Sequence, residues 1–268
     1  MLLEWHFIIL LIALGLFNGI LAGLLGIGGG LVIVPAMIWL LPTIGVPAEH
    51  LMHMALATSM ATICFTAISS AYAHHQRGSV SISLLKLLVP AIAAGGLLGA
   101  YIANLIDTLW LGRIFGVAAV LMGLQMVVGK QPTAKGLKLN AVNAAPAGLG
   151  MGAISSLLGI GGGSVVVPYL LYHKEKLVMA IGTAAACGLP LAIMATIGYV
   201  VLGWQVSNLP PYHWGYVYLP AVFAIAFGSI LSAPLGAYLA HKLPTLIIKR
   251  IFALLMVVVG AKIIMNNL

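Results

Sequence analysis

Two glycine clusters, Gly26-Ile27-Gly28-Gly29-Gly30 and Gly159-Ile160-Gly161-Gly162-Gly163, interrupt long apolar runs and are the residues of this chain best suited to chemistry. Glycine takes backbone angles closed to other residues, so each cluster predicts a break from which a new helix starts. The amides of Gly28 to Leu31 and of Gly161 to Ser164 should open those helices without helical partners of their own. Unpaired N–H groups at the positive end of a helix dipole favour an anion. The competing use of such glycines is to let two helices pack closely. A pair of clusters brought to one centre favours the anion.

Hydroxyls occur near both clusters. Thr58, Ser59 and Thr183 fall at matching places early in the next apolar run, and Ser156 lies just before the second break. Each could donate to an anion's oxygens, or bond its own helix backbone. His53 is the candidate for coupling a proton to transport. Cys64 and Cys187 lie inside apolar runs, where a free thiol usually behaves as a small hydrophobe. Glu4, Glu49, Asp107 and Glu175 all fall at the ends of runs or in loops, which disfavours a cation pathway. No phosphate-binding loop, metal motif or other cofactor signature follows the glycines.

Those residues need a membrane to position them. The chain of 268 residues is 62% hydrophobic and only 6% charged, with a mean hydropathy of +1.16. A soluble domain is about 25% charged, so a water-facing surface cannot be built from this composition. At about 20 residues per span the length allows some eight to ten helical segments. The formal charge of +8 comes from basic residues set between apolar runs. It is therefore read as a topology signal rather than a nucleic-acid site. The first run follows the acidic Glu4 and shows no cleavage site, so a retained helix is expected.

The chain reads as two copies of one unit. Leu24-Leu25 and the first glycine cluster recur as Leu157-Leu158 and the second at an offset of 133, with Pro35 answering to Pro168. Gly99-Ala100-Tyr101 matches Gly236-Ala237-Tyr238, and Arg113-Ile114-Phe115 matches Arg250-Ile251-Phe252, at an offset of 137. Ala57-Thr58-Ser59 answers to Gly182-Thr183-Ala184 at 125. The first repeat covers residues 1–129, a polar linker 130–139, and the second repeat 140–268. Each holds a glycine-broken stretch and three ordinary spans: roughly 7–42, 53–73, 84–104 and 112–129, then 140–172, 177–203, 216–240 and 246–265.

Charge placement selects the topology. If each broken stretch is a hairpin and the linker is cytoplasmic, Arg77, Lys86, Lys130, Lys135, Lys138, Lys174, Lys176, Lys242, Lys249 and Arg250 lie inside, against Arg113 and Lys262 outside, ten against two. Unbroken crossings give six against six. The excess of Lys and Arg belongs inside. The expected fold is thus all-α and polytopic, with two inverted-topology repeats, each a broken hairpin plus three transmembrane helices. Both termini are expected outside a bacterial inner membrane. The uncharged, aromatic-rich loop from Trp204 to Gly215 falls at the outer interface, which suits its rings. Many secondary transporters have this architecture, with sites near the midplane where broken helices meet.

The paired Leu-Leu-Gly-Ile-Gly-Gly-Gly sequences with their downstream prolines, and the Ala-Thr-Ser and Gly-Thr-Ala sequences after them, resemble the TauE/SafE family of sulfite and sulfonate permeases over almost the whole chain. The resemblance implies a carrier of sulfur-containing anions. It places the substrate on Gly28, Gly29, Gly30, Thr58, Gly161, Gly162, Gly163 and Thr183. Because Ala184 stands where the first copy has Ser59, a serine role does not transfer to it. Ser59, Ser156 and Ser164 complete the expected site. The expected partners are a small anion and the lipid bilayer, with no nucleic acid. The expected function is a secondary transporter, and an exporter, of sulfite or an organosulfonate. An anion channel, or a permease for thiosulfate or a carboxylate, is the alternative. An enzyme is not expected. The sequence gives no expectation for oligomeric state.

Overall fold

The computed structural model describes residues 5–25, 29–128, 139–242 and 245–265. Gly28, Glu4 and nearly all of the linker lie outside the described residues.

Ten α-helices account for nearly all of the described chain. The first repeat holds α1 (Trp5–Leu25), α2 (Gly30–Leu40), α3 (Leu51–Gln76), α4 (Ile82–Asn104) and α5 (Thr108–Val128). The second holds α6 (Ala141–Leu157), α7 (Gly163–Tyr172), α8 (Leu177–Leu202), α9 (Leu219–Lys242) and α10 (Thr245–Met265). A short antiparallel ribbon, β1 (His213–Trp214) with β2 (Val217–Tyr218), precedes α9. Six of the described helices are long and apolar enough to cross a membrane, as a polytopic membrane protein requires.

Local chemistry sets several ends. Asn140 caps α6 reciprocally: its side chain accepts from the Asn143 amide at 3.0 Å, and the Asn143 side chain accepts from the Asn140 amide at 2.9 Å. Two of the four amides that open any helix are satisfied in this general way. Ser81 does the same for α4 by accepting from Leu84 N at 3.4 Å.

Each glycine-broken stretch folds back on itself. The Tyr169 hydroxyl of α7 lies 3.4 Å from the Asn143 carbonyl at the start of α6, so both arms of that hairpin end on one face. In the first repeat the start of α2 lies against Asn18, well before the end of α1. The chain thus turns back toward the face where α1 began.

The repeats interlock by exchange. α1 lies along α9, α4 along α6, α5 along α10, and α3 along α8. The fourth helix of each repeat thereby holds the first helix of the other. Gly15, Gly19 and Gly236 bring α1 and α9 into backbone contact, and Gly95, Gly99 and Gly152 do so for α4 and α6. Water-driven burial does not draw helices together in lipid, so close approach through small residues supplies the van der Waals contact that holds them.

Contacts order the segments by depth. At one end Phe7 meets Tyr218 with ring centroids 6.3 Å apart, Tyr216 donates to Asn104 at 3.2 Å, and Lys262 sits 4.8 Å over Trp39. At the opposite end the Ser79–Ser81 turn packs on Gly182 and Thr183. α3 and α8 consequently run antiparallel. So do α5 and α10, since Gly116 meets Gly260 and Ile264 while Gly123 meets Ala253.

Candidate anion site at the helix breaks

The two breaks meet at the centre of the bundle. A side chain on Gly30, the first residue of α2, would strike the carbonyl of Gly159 and the Cα of Ile160. Ser59 donates from α3 to the Gly159 carbonyl at 2.7 Å. On the other side the Tyr199 hydroxyl of α8 donates to the Ser156 carbonyl at 3.1 Å. Ser59, Ser156, Tyr199, Ile160 and Gly30 are all buried.

Different backbones make the two breaks. Gly29 caps α2 at φ 81°, a left-handed conformation that glycine holds without penalty. Its counterpart Gly162 caps α7 at φ −57°. The second break puts its left-handed residue earlier, at Gly159 with φ 61°. There Gly159 N donates to Ser156 O at 3.1 Å and Ile160 N to Ser155 O at 3.0 Å, the paired bonds of a Schellman stop. Two near-identical sequences thus open the following helix in unlike ways.

Restarting the helices leaves amides ahead of the first helical bonds. Val32 and Ile33 are the donors to Gly29 O, and Val165 and Val166 the donors to Gly162 O. Gly30, Leu31, Gly163 and Ser164 stand before them, where a helix has no intrahelical acceptor to offer. Gly162 packs against Gly188 of α8 with room for one more carbon: a Cβ on Gly188 would lie 3.7 Å from Gly162 N.

Buried polar atoms without partners gather at these breaks. Asn18 Oδ1, Ser155 Oγ, Ser156 Oγ and Ser164 Oγ are buried and unbonded among the described residues. Native proteins leave few such groups, and each calls for an explanation such as a ligand or an ion. Asn18 is anchored by its amide, which donates to Ser229 Oγ at 3.1 Å, so its unpaired oxygen is held against Gly29. Asn18 and Ser155, which the sequence places just before the two breaks where they could serve a cavity or packing, join the site, and Gly188 is a site residue that the sequence did not signal. For Asn18 the available signal was its type, a full amide inside a span.

Gly29, Gly30, Ser59, Ser156, Gly159 and Ile160 are brought together at the centre, and the chain continues through Gly161 to Ser164 along Ala184 and Gly188 of α8. Thr58 and Thr183 flank that centre, next in sequence to Ser59 and to Ala184, whose carbonyl a Cβ on Gly162 would meet at 3.4 Å. Thr58 Oγ1 accepts from Tyr218 N at 3.1 Å on one side of that centre, and Thr183 Oγ1 accepts from Ser81 N at 3.0 Å on the other. Cys64 meets Thr196 at 3.7 Å and fixes the relative depth of α3 and α8. At about 1.5 Å per residue the two threonines lie on the order of 20 Å or more apart. The two bonds are equivalent, because Ser81 and Tyr218 are separated by the same offset of 137 that relates the fourth helices. Each threonine holds the residue before the other repeat's fourth helix.

Thr58→Val should therefore destabilise the protein by about 1–3 kcal/mol, because it strands the buried Tyr218 amide. Thr183→Val should cost about 0.5–1.5 kcal/mol, since Ser81 is only half-buried. Equilibrium unfolding in mixed micelles measures both; two variants as stable as the parent would show that neither bond matters.

No Asp or Glu occupies a helix interior among the described residues: Glu49, Asp107 and Glu175 sit in turns or short 3-10 segments at the bundle's ends. Nor do three His, Cys, Asp or Glu side chains converge there as metal ligands would. Cys187 is fully buried and Cys64 half-buried, and both pack in the helix core.

Comparison with known proteins settles the class. The family described as sulfite exporter TauE/SafE matches this chain over residues 11–263. The chain belongs to the TauE/SafE family. A probable membrane transporter protein from Haemophilus influenzae is 38% identical over 95% of this chain and 97% of its own length. Another from Methanocaldococcus jannaschii is 26% identical over 90% of each chain, and YunE of Bacillus subtilis, also named a probable membrane transporter protein, is 24% identical over 97% and 98%. No solved structure matches. As a TauE/SafE member the chain is a multi-pass membrane transporter and not an enzyme.

Proposed function

We propose that this chain is a secondary transporter that exports a small sulfur-containing anion, such as sulfite or an organosulfonate, bound near the bilayer midplane between the two helix breaks. The observation that carries the reading is the meeting of the α2 N-terminus with the second helix break, just ahead of α7, in a centre that among the described residues holds unpaired buried hydroxyls and no carboxylate. Amides at helix starts favour negative charge. Gly28, Gly29 and Gly30 on one side and Gly161, Gly162, Gly163 and Ser164 on the other supply them, with Ser59 and Ser156 as hydroxyl neighbours. Thr58 and Thr183 flank this centre, each tied to a backbone amide of the other repeat. The sulfur substrate and the direction rest on the family description.

In this reading the repeats, 1–129 and 140–268, have inverted topology, which the antiparallel α3–α8 and α5–α10 pairs support. Arg77, Lys86, Lys174 and Lys176 gather toward one end of the bundle and Arg113 and Lys262 toward the other. The first end is then cytoplasmic. Both termini and the Trp204–Gly215 loop lie outside the bacterial inner membrane, and the linker lies inside.

Sulfite flux from loaded proteoliposomes, with and without sulfite on the opposite side, tests this. A saturable flux accelerated by opposite-side substrate is expected. Flux without acceleration would mean a channel, and no flux of sulfite or sulfoacetate through intact protein would remove the substrate assignment. In cells, Lys135→Cys should react with an impermeant maleimide only after the inner face is exposed; reaction from outside would invert the orientation.

A further inference from the structure

A cavity of about 650 Å³ opens at the end of the bundle where α1 starts. Its polar wall includes His50, His53, Asn104, Asp107, Arg113 and Tyr216. His53 is the buried member, 5% exposed, and its surroundings are unusual for a neutral imidazole. A neutral ring has one donor nitrogen and one acceptor nitrogen. Here Nε2 lies 3.0 Å from the Ala103 carbonyl, which can only accept. Nδ1 lies 3.4 Å from Thr108 Oγ1, whose single proton is already given to the Glu49 carbonyl. Both nitrogens therefore face acceptors.

We propose that His53 is a proton-binding site, and that its imidazolium ties the first repeat to the ribbon of the second. The ring belongs to α3 and bonds to the end of α4 and the start of α5. It also stacks on Tyr216, with centroids 5.1 Å apart and planes 28° from parallel. A cation over a tyrosine face is attracted by the ring quadrupole. Tyr216 in turn donates to Asn104, and Tyr218, two residues on, donates its amide to Thr58. A proton on His53 thus reaches the contact between the second repeat's ribbon and the wall of the cavity.

The charged and titratable groups facing the ring act in both directions. Asp107, in the α4–α5 turn, favours the cation, and so do the carbonyls; burial, His50 on the adjoining turn and Arg113 on α5 oppose it. Glu49 pairs with His50 at 3.4 Å and blunts that opposition. With the proton lost, the Nδ1 lone pair faces the Thr108 oxygen and that link fails.

This proton site does not depend on which anion is carried, so its test needs no substrate. Protein with 15N histidine and 13C-carbonyl alanine, reconstituted in bilayers, allows the His53 ring to be picked out by its contact with the Ala103 carbonyl in solid-state NMR. Both ring nitrogens should be protonated at pH 5–6, and Nδ1 should lose its proton as the pH is raised. A ring still neutral at pH 5 would overturn the proposal. In parallel, hydrogen exchange of residues 213–218 should be slower at pH 5.5 than at pH 8 after correction for intrinsic rates. That difference should vanish in His53→Gln and in Thr108→Val but persist in His50→Gln. Equal pH dependence in the His53→Gln variant would equally overturn it.

Discussion

Gly30→Ala should destabilise the protein by about 3 kcal/mol, at the top of the usual range for overpacking, whereas Gly162→Ala should stay within about 1 kcal/mol of the parent. The two glycines belong to matching clusters, yet their surroundings differ. A Cβ on Gly30 would lie 2.8 Å from the Cα of Ile160 and closer still to the Gly159 carbonyl. These are backbone atoms at the second break, held by the Ser59 bond and the Schellman stop, and cannot rotate aside as a side chain would. A Cβ on Gly162 would meet the Ala184 carbonyl at 3.4 Å and Gly188 at 3.6 Å, which is ordinary contact. Equilibrium unfolding of both variants in mixed micelles reads the difference. A Gly30→Ala protein as stable as the parent would mean that the breaks do not abut, and the central site would lose its frame.

The duplication, the broken stretches and the span limits were legible because glycine clusters, prolines and charges act locally. The expected span 84–104 is α4 at Ile82–Asn104, and 177–203 is α8 at Leu177–Leu202. The hairpins followed from counting lysines and arginines, which sorts whole loops without knowledge of any contact. What the sequence hid was tertiary. Thr58 and Thr183 look like equivalent site hydroxyls, and equivalence under a pseudo-twofold operation does not require two residues to meet. Theirs places them on opposite sides of the helix breaks, where each serves a backbone amide. The different roles of Gly29 and Gly162 were hidden for another reason: identical glycines can take either hand of the backbone, so the surroundings choose. His53 could be named from its type, but the two acceptors that define it come from residues 50 and 55 positions away.

Gly162→Leu should reduce sulfite flux by more than about a hundredfold while the protein still assembles. Gly29→Leu cannot separate function from folding: its φ of 81° strains any side chain, and Asn18 already fills the space beside it. Gly162 has neither problem: its φ is −57° and a Cβ there makes only ordinary contacts with Ala184 and Gly188, so the rest of a leucine side chain would crowd the start of α7. If the anion relies on at least two of the α7 amides, at about 1.5–3 kcal/mol for each bond to a charged group, blocking them removes about 3–6 kcal/mol. At about 1.4 kcal/mol per tenfold, that exceeds a hundredfold. Gly188→Leu crowds the same place from α8, starting from a Cβ in ordinary contact with Gly162 N, so it should reproduce the loss, and Gly162→Ala should keep most of the flux. Flux per assembled protein, with assembly judged by size-exclusion profile and unfolding midpoint, is the measurement. Full flux in both leucine variants would show that the α7 amides do not hold the anion and that the glycines serve packing alone.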